Sequence, residues 1–286
     1  MGKIIAVLND KGGVAKTTTT INLGTALWLL GKKVLLVDTD QQGSLTLFLD
    51  KASTLPDADG RCHTLYEWMK NPADSPINER YPGLDFIPST HSMANGYQEF
   101  AATTGHEMIL RKRLALVKEQ YDYILIDCIP GGKNFMNTNV LVAADEVLVP
   151  MLAEPACVTG IPNLLHFVEE VATSYDKQIS ITGYLITRAE PSTKKYKNIK
   201  QYFQDHTQEL GGQLLPFYIS KCTKAAESVS FEMSLFEYAP SCTAAYDYMH
   251  LAEYLSGSKP NKHWTPAEWG KKCISAYTYF QKSKNI

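Results

Sequence analysis

The sequence predicts an α/β protein: a doubly wound, mostly parallel sheet with helices on both faces, built as one domain over residues 1–256 and followed by a helical C-terminal extension over 257–286. Three observations carry this. Short apolar runs recur at 4–8, 33–38, 84–88, 123–127, 146–150 and 179–187. They are rich in Val, Ile and Leu, as strands buried on both faces are. Stretches with helical spacing alternate with them, and a Gly-rich loop, 9–18, joins the first run to the first helical stretch.

Composition bounds the rest. The chain has 286 residues, 44% of them apolar, which is ample for a core. No run approaches the roughly 18 apolar residues of a membrane span, and the N-terminus lacks a charged-then-apolar leader, so a soluble, cytoplasmic protein is expected. None of the six cysteines forms a C-x-x-C pair, and the seven histidines show no zinc spacing. Reduced, mostly buried thiols are expected. Net charge is −2, but residues 188–224 carry +4 and 259–286 carry +5. Such asymmetry points weakly to an anionic partner, and a solvated helix face accounts for it equally well.

Taken in order, the first run, Ile4-Ile5-Ala6-Val7-Leu8, reads as a buried strand. Leu23, Ala26, Leu27 and Leu30 give the next stretch one apolar helical face, and Gly31 supplies its stop. Strand, Gly-rich loop, and helix opening on Lys16-Thr17 form the context of a phosphate-binding loop. Unpaired N–H groups and the helix dipole favour an anion there, and glycines admit it closely. The common G-x-x-x-x-G-K-S/T pattern would place glycine at 10 and 15, where this chain has Asp10 and Ala15. A positive φ at Ala15 would strain the loop. Val34 to Val37 form a second strand, with Asp38 and Asp40 at its carboxyl end, where ligands of open α/β sheets bind. Residues 50–82 read as a Pro-broken surface segment with a short helix at 65–69. Leu84 to Pro88 is a third strand, followed by helices near 92–101 and 106–119. Tyr123 to Asp127 is a fourth strand. Gly131-Gly132 then follows as either a nucleotide-sensitive switch or a plain turn. Strands at 146–150 and 179–187 flank a helix bearing Val158, Ile161, Leu165 and Val168. A last strand is expected at 214–219, then a helix at 241–255. In the tail, Thr265-Pro266-Ala267-Glu268 is a capping box with proline at the first helical position. Trp269, Cys273, Ala276, Tyr277 and Phe280 share the face of the helix that follows.

The run Lys11-Gly12-Gly13-Val14-Ala15-Lys16-Thr17-Thr18 resembles the deviant Walker A motif of the ParA/MinD family of P-loop ATPases. Asp38-Thr39-Asp40-Gln41-Gln42-Gly43 resembles that family's second motif, and the strand ending at Asp127 its Walker B. The resemblance extends to about residue 256 and lies nearest the ParA/Soj-type partition proteins, including the carboxysome-positioning McdA subgroup. It implies an ATPase using ATP and Mg²⁺. Lys11 would reach the nucleotide of a partner subunit, Lys16 would neutralise the β/γ oxygens, and the backbone from Gly12 to Thr18 would hold the phosphates. Thr17 would ligate Mg²⁺, with Asp38 and Asp127 in support, and Asp40 would orient the attacking water. Arg188, Pro216 and Tyr218 would lie near the adenine. Lys194, Lys195, Lys221 and Lys224 would touch the DNA backbone. The implied partners are a second copy of the chain, non-specific nucleoid DNA, and a cargo-bound adaptor that stimulates hydrolysis. The cargo would be a plasmid, a chromosome origin or a protein organelle. The alternative is a MinD-like membrane-associated positioning ATPase using the tail helix, although packing of that helix on the body is expected and no stable membrane association. A cluster-bearing reductase of the same superfamily would need paired cysteines, and Cys128 has no neighbour in sequence.

Overall fold

Successive residues of the central strands go to opposite sides of one sheet, which gives two apolar layers. Ile4, Ala6, Leu35, Val37, Ile124 and Ile126 face one layer. Ile5, Val34, Leu36, Tyr123 and Leu125 face the other. The computed structural model describes residues 2–259 and 265–284. Its strands are β1 (Lys3–Val7), β2 (Val34–Asp38), β3 (Asn78–Tyr81), β4 (Leu84–Ile87), β5 (Tyr123–Asp127), β6 (Glu146–Leu152) and β7 (Ser180–Thr187). Its α-helices are α1 (Lys16–Leu29), α2 (Ser44–Leu49), α3 (Leu65–Lys70), α4 (Ser92–Ala101), α5 (Ile109–Ala115), α6 (Phe135–Ala143), α7 (Pro155–Val158), α8 (Ile161–Ser174), α9 (Lys194–Asp205), α10 (Thr223–Ser230), α11 (Leu235–Tyr238), α12 (Thr243–Ser256) and α13 (Pro266–Lys284).

The strand order is β3-β4-β2-β5-β1-β6-β7. All neighbours are parallel except β3 and β4. The chain runs from β1 outward to β2 on one side and from β5 across β1 to β6 on the other. Position β1 is therefore the switch point, where open sheets bind ligands. Register aligns Val7 and Asp38 with Asp127, so three strand ends stand at one height. The α/β, mostly parallel, doubly wound architecture read from the sequence is the one observed.

Helix α1 is buried on nearly every side rather than on one face. It lies against the sheet, and the C-terminal helices cover its outer side. Thr19 Oγ1 and Tyr248 Oη of α12 are 3.1 Å apart. Asn22 Oδ1 accepts from the Leu235 amide of α11 at 2.7 Å. At its end, Gly31 (φ 84°) takes the left-handed turn, with Gly31 N donating to Trp28 O and Lys32 N to Leu27 O.

Three expectations are corrected. Residues 214–219 form no strand. They run beside β7 with isolated bridges at Leu214 and Ser220, because Pro216 has no N–H to continue the ladder. Edge strand β3 was unforeseen. It has no apolar run, and a turn at Pro82-Gly83 (φ 90° at Gly83) folds it onto β4. The helix expected over 106–119 is α5 alone, flanked by 3₁₀ turns at His106–Met108 and Lys118–Gln120.

The tail packs back on the body. Trp269 and Cys273 are buried in the same layer as α1, and the Trp269 ring meets those of Phe236 and Tyr246 edge-on. Half of the capping box forms: Glu268 Oε2 accepts from Thr265 N at 2.5 Å, and from Thr265 Oγ1 at 2.9 Å. Lys272 Nζ donates to Leu29 O at 3.3 Å and lies over the Trp28 ring. The side chains of Tyr277 and Phe280 lie outside the described residues.

Glu237 of α11 ties the C-terminal helices to the sheet edge. It pairs with Arg80 at 2.9 Å, with both side chains buried, accepts from Tyr81, and caps its own helix through Ser234. Glu237→Ala would leave the Arg80 charge buried with its carboxylate gone. We expect a loss of about 3–5 kcal/mol in unfolding free energy, read from urea denaturation.

Candidate functional site

The loop between β1 and α1 is closed by its own side chains. Asn9 Nδ2 donates to Pro150 O at 2.8 Å and its Oδ1 accepts from Lys11 N at 2.9 Å. Lys16 Nζ, almost fully buried, donates to Asn9 O and Lys11 O, both at 3.0 Å. Burial pushes the Lys16 pKa down, against the opposing pull of Cys128, Asp127 and Asp40. Gly13 has φ 74° and Ala15 φ 68°. Ala15 therefore stands in the left-handed region that its sequence position made suspect. A Cβ at Gly12 or Gly13 would meet no protein atom within 4 Å. Nothing inside the chain crowds these residues, and the open side is available to a ligand that comes close to the backbone.

Beneath the loop lie the carboxylates. Thr17 Oγ1 donates to Asp127 Oδ2 at 2.6 Å, and Thr20 Oγ1 reaches Oδ1 at 3.4 Å. Burial, with Asp38 beside it, pushes Asp127 up to about 8. Asp38 is raised to about 6 by burial. Asp38 Oδ2 accepts from Thr46 N and Oγ1, at 2.8 and 2.6 Å, and its Oδ1 from Asp40 N at 3.0 Å. Both its oxygens are thus engaged by Thr46 and the Asp40 amide, and its charge is felt by Asp127. A hydroxyl held against one buried carboxyl, with a second carboxyl behind it, is a donor set suited to a hard divalent cation that shares its shell with phosphate and water. Asp40 lies at the cavity's edge, its Oδ1 accepting from Gln42 N at 2.9 Å.

Above the loop is a cavity of about 590 Å³. Gly12, Gly13, Ala15, Lys16, Thr17 and Thr18 line one end, and Arg188 with the segment 219–226 the other. This volume suits a nucleotide. Arg188, at φ 50°, is part of that lining. Pro216 and Tyr218 are not. Pro216 is exposed, and Tyr218 packs edge-on against Tyr196 of α9, so the wall is made by the residues just after them. Val14 does not line the cavity: its side chain is fully buried and its carbonyl accepts from Thr187 Oγ1 at 3.0 Å.

Lys11 does not line this cavity. Its Nζ pairs with Glu154 Oε2 at 2.9 Å, on the surface. Glu154 sits at the start of α7 and gave no sequence signal. Asn9, Thr46, Thr187 and Tyr248 were likewise missed. Only Asn9, at the end of the first apolar run, stood where a reader could have found it. The Gly131-Gly132 loop leans on the phosphate loop. Gly131 N donates to Asp10 O at 2.9 Å, and a Cβ at Gly132 would press the Asp10 carboxylate at 3.3 Å. Both glycines have positive φ. Of the four lysines expected on DNA, Lys194 and Lys195 are exposed at the start of α9. Lys221 pairs with Glu190 at 3.1 Å and Lys224 with Glu227 at 2.7 Å.

A parallel strand, a loop cradling its own lysine, and a helix whose threonine rests on a strand-end aspartate define a phosphate-loop nucleotide-binding protein. The protein-family model described as an AAA domain matches residues 2–181. The sporulation initiation inhibitor protein Soj of Bacillus subtilis (strain 168) is 33% identical over 268 residues, covering 90% of this chain and 100% of Soj. Cobyrinic acid a,c-diamide synthase from Mycobacterium smegmatis, solved with bound ATP analog and magnesium, has a TM-score of 0.72 at 25% identity, covering 90% of this chain and 97% of that one. An McdA–ATP complex from Cyanothece has a TM-score of 0.75 at 23% identity, again over 90% and 97%, which bears on the fold alone. This chain belongs to the AAA-domain family and, within it, to the ParA/Soj-type partition ATPases.

The left-handed Ala15 makes a direct prediction. Ala15→Val puts a β-branched side chain at positive φ and should lower unfolding free energy by about 2 kcal/mol. Ala15→Gly should not lower it, because relief of the strained φ offsets glycine's larger unfolded-state entropy. Thermal unfolding of the two variants checks this.

Proposed function

We propose that this chain is an ATP-dependent dimeric switch that binds DNA without sequence preference and positions a cargo through an adaptor. The observation that carries this reading is the opposite placement of two lysines in one loop. Lys16 is buried against its own phosphate cavity, whereas Lys11 points away from it along the surface. A surface amine beside a nucleotide site is placed to serve a second subunit.

In this reading the triphosphate displaces the loop carbonyls from Lys16, whose ammonium then neutralises β/γ oxygens. Amides from Gly12 to Thr18 hold the remaining oxygens. Thr17 would hold Mg²⁺, with Asp127 behind it and Asp38 steadying that carboxylate. Mg²⁺ bound there would supply charge neutralisation between the phosphates. Asp40, at the cavity mouth, orients the attacking water. Lys11 leaves Glu154 when the partner's nucleotide arrives. Lone monomers therefore hydrolyse slowly, because their sites are incomplete.

Lys16→Ala should abolish nucleotide binding by equilibrium titration, and unchanged affinity would refute the phosphate assignment. Lys11→Ala should keep nucleotide binding but lose the ATP-dependent dimer in analytical ultracentrifugation. A dimer of undiminished stability would rule out the role given to Lys11.

The charge of the lysines at 194, 195, 221 and 224 suits phosphates rather than bases. The internal pairs of Lys221 and Lys224 make Lys194 and Lys195 the readier contacts. DNA binding should require ATP and weaken steeply with salt. The double variant Lys194→Ala/Lys195→Ala should flatten the log–log salt slope by about 2. Retention that ignores salt or ATP would remove the DNA role. The packing of Trp269 and Cys273 into the body favours this reading over a membrane-borne tail. No described helix is long and apolar enough to cross a membrane.

A further inference from the structure

The end of the sheet opposite the nucleotide cavity carries a second concavity. Gly31 to Lys33 lead into β2 and Gly83 into β4, whose first residues, Val34 and Leu84, are in register. This is the amino end of the strands, whereas Asp38 and Asp127 stand at the carboxyl end. Helix α13 bounds a groove of about 720 Å³ there, against the end of α1 and the β3–β4 turn. α13 lies beyond residue 256, where the resemblance to partition ATPases ends.

The lining joins apolar surface to positive charge. Trp28, Pro82 and Ala276 supply the first, and Lys32, Lys33 and Lys272 the second. Among the described residues no carboxylate lines the groove, and none pairs with the side chain of Lys32 or Lys33. Asp122 accepts only from the Lys33 main-chain N–H, at 2.8 Å, and is not part of the lining.

A helix C-terminus draws cations, so the end of α1 accounts for part of this charge. It offers about half a negative charge against three ammoniums. Its carbonyls are also already engaged. Trp28 O accepts from Gly31 N at 2.9 Å, Leu27 O from Lys32 N at 3.1 Å, and Leu29 O from Lys272 Nζ at 3.3 Å. Pro82 O accepts from Trp28 Nε1 at 3.0 Å. Positive charge is therefore left over in a concave, partly apolar site. Burial lowers the Lys272 pKa, so that ammonium gains from an arriving anion.

We propose that this groove docks an extended acidic segment of a partner protein. Its carboxylates meet the three lysines, and apolar side chains between them cover Trp28, Pro82 and Ala276. Carboxylates spaced along a chain complement ammoniums spread along a groove. The apolar surface between the charges favours a peptide over a sugar–phosphate backbone, which would leave it uncovered. The groove stands apart from the phosphate loop, so a partner here and a nucleotide there can be held at once. The proposal does not depend on the reading of the nucleotide cavity.

The test uses the full chain and a fluorescein-labelled peptide in which Glu and Pro alternate, which is extended and soluble. Fluorescence anisotropy should show binding that weakens as salt rises. The matched Gln–Pro peptide should not bind. Carbodiimide coupling joins a carboxylate to an amine that it touches, and mass mapping should then place the peptide on Lys32, Lys33 or Lys272. Lys32→Gln/Lys33→Gln removes charge from two surface side chains and should weaken binding at least threefold with thermal unfolding unchanged. Ala276→Trp fills the groove without changing charge and should weaken binding as much. Equal binding of the two peptides, coupling elsewhere, or unchanged affinity in either variant would overturn the proposal. Oligothymidylate that displaces the peptide and binds more tightly would overturn it in favour of a nucleic acid.

Discussion

A buried ammonium satisfied by its own loop is the constraint on which the rest of this structure depends. Lys16 has lost most of its water, and the carbonyls of Asn9 and Lys11 replace it. Those two bonds curl the loop into a ring around the lysine. The ring in turn requires left-handed backbone at Gly13 and Ala15 and a rigid entry at Asn9. Burial shifts Lys16 and Asp127 toward their neutral forms despite their opposite charges, so desolvation outweighs their mutual attraction. A site in that condition gains when a polyanion and a divalent cation arrive together, since each supplies the countercharge that the other buried group lacks.

Sheet topology then decides where this ring stands. Because β1 is flanked by β5 and β6, the end of Val7 lies level with Asp127 and Asp38, and the start of α1 falls on the Asp127 oxygens. The C-terminal helices complete the arrangement from the other side. α12 and α11 cover the outer side of α1 through Tyr248 and the Leu235 amide, and α13 covers its end through Lys272. A helix boxed in on all sides cannot tilt, which holds the phosphate loop at a fixed height over the carboxylates.

Local patterns made much of this legible. Apolar runs and helical spacing were enough for six of the strands and for the α1 stop at Gly31, because burial on both faces and a left-handed terminus leave marks in composition. The phosphate loop was legible because every requirement on it falls within ten consecutive residues. Strand β3 and the segment at 214–219 misled for one reason. Whether an extended stretch joins a sheet depends on its partners: Asn78–Tyr81 joined through Glu237 and β4 despite its polarity, and 214–219 failed at Pro216 despite its apolarity.

By itself, then, the sequence determined the fold class, the Gly-rich loop between β1 and α1, the lysine and threonine that open α1, and the aspartates at two strand ends. These are short-range consequences of spacing and backbone chemistry. Tertiary structure alone decided that Lys11 meets Glu154, that Asp38 spends its oxygens on Thr46 and the Asp40 amide, and that the residues after Tyr218 form the cavity wall. Contacts between segments distant in the chain leave no periodic trace, because what selects them is the packing of helices on a particular sheet order.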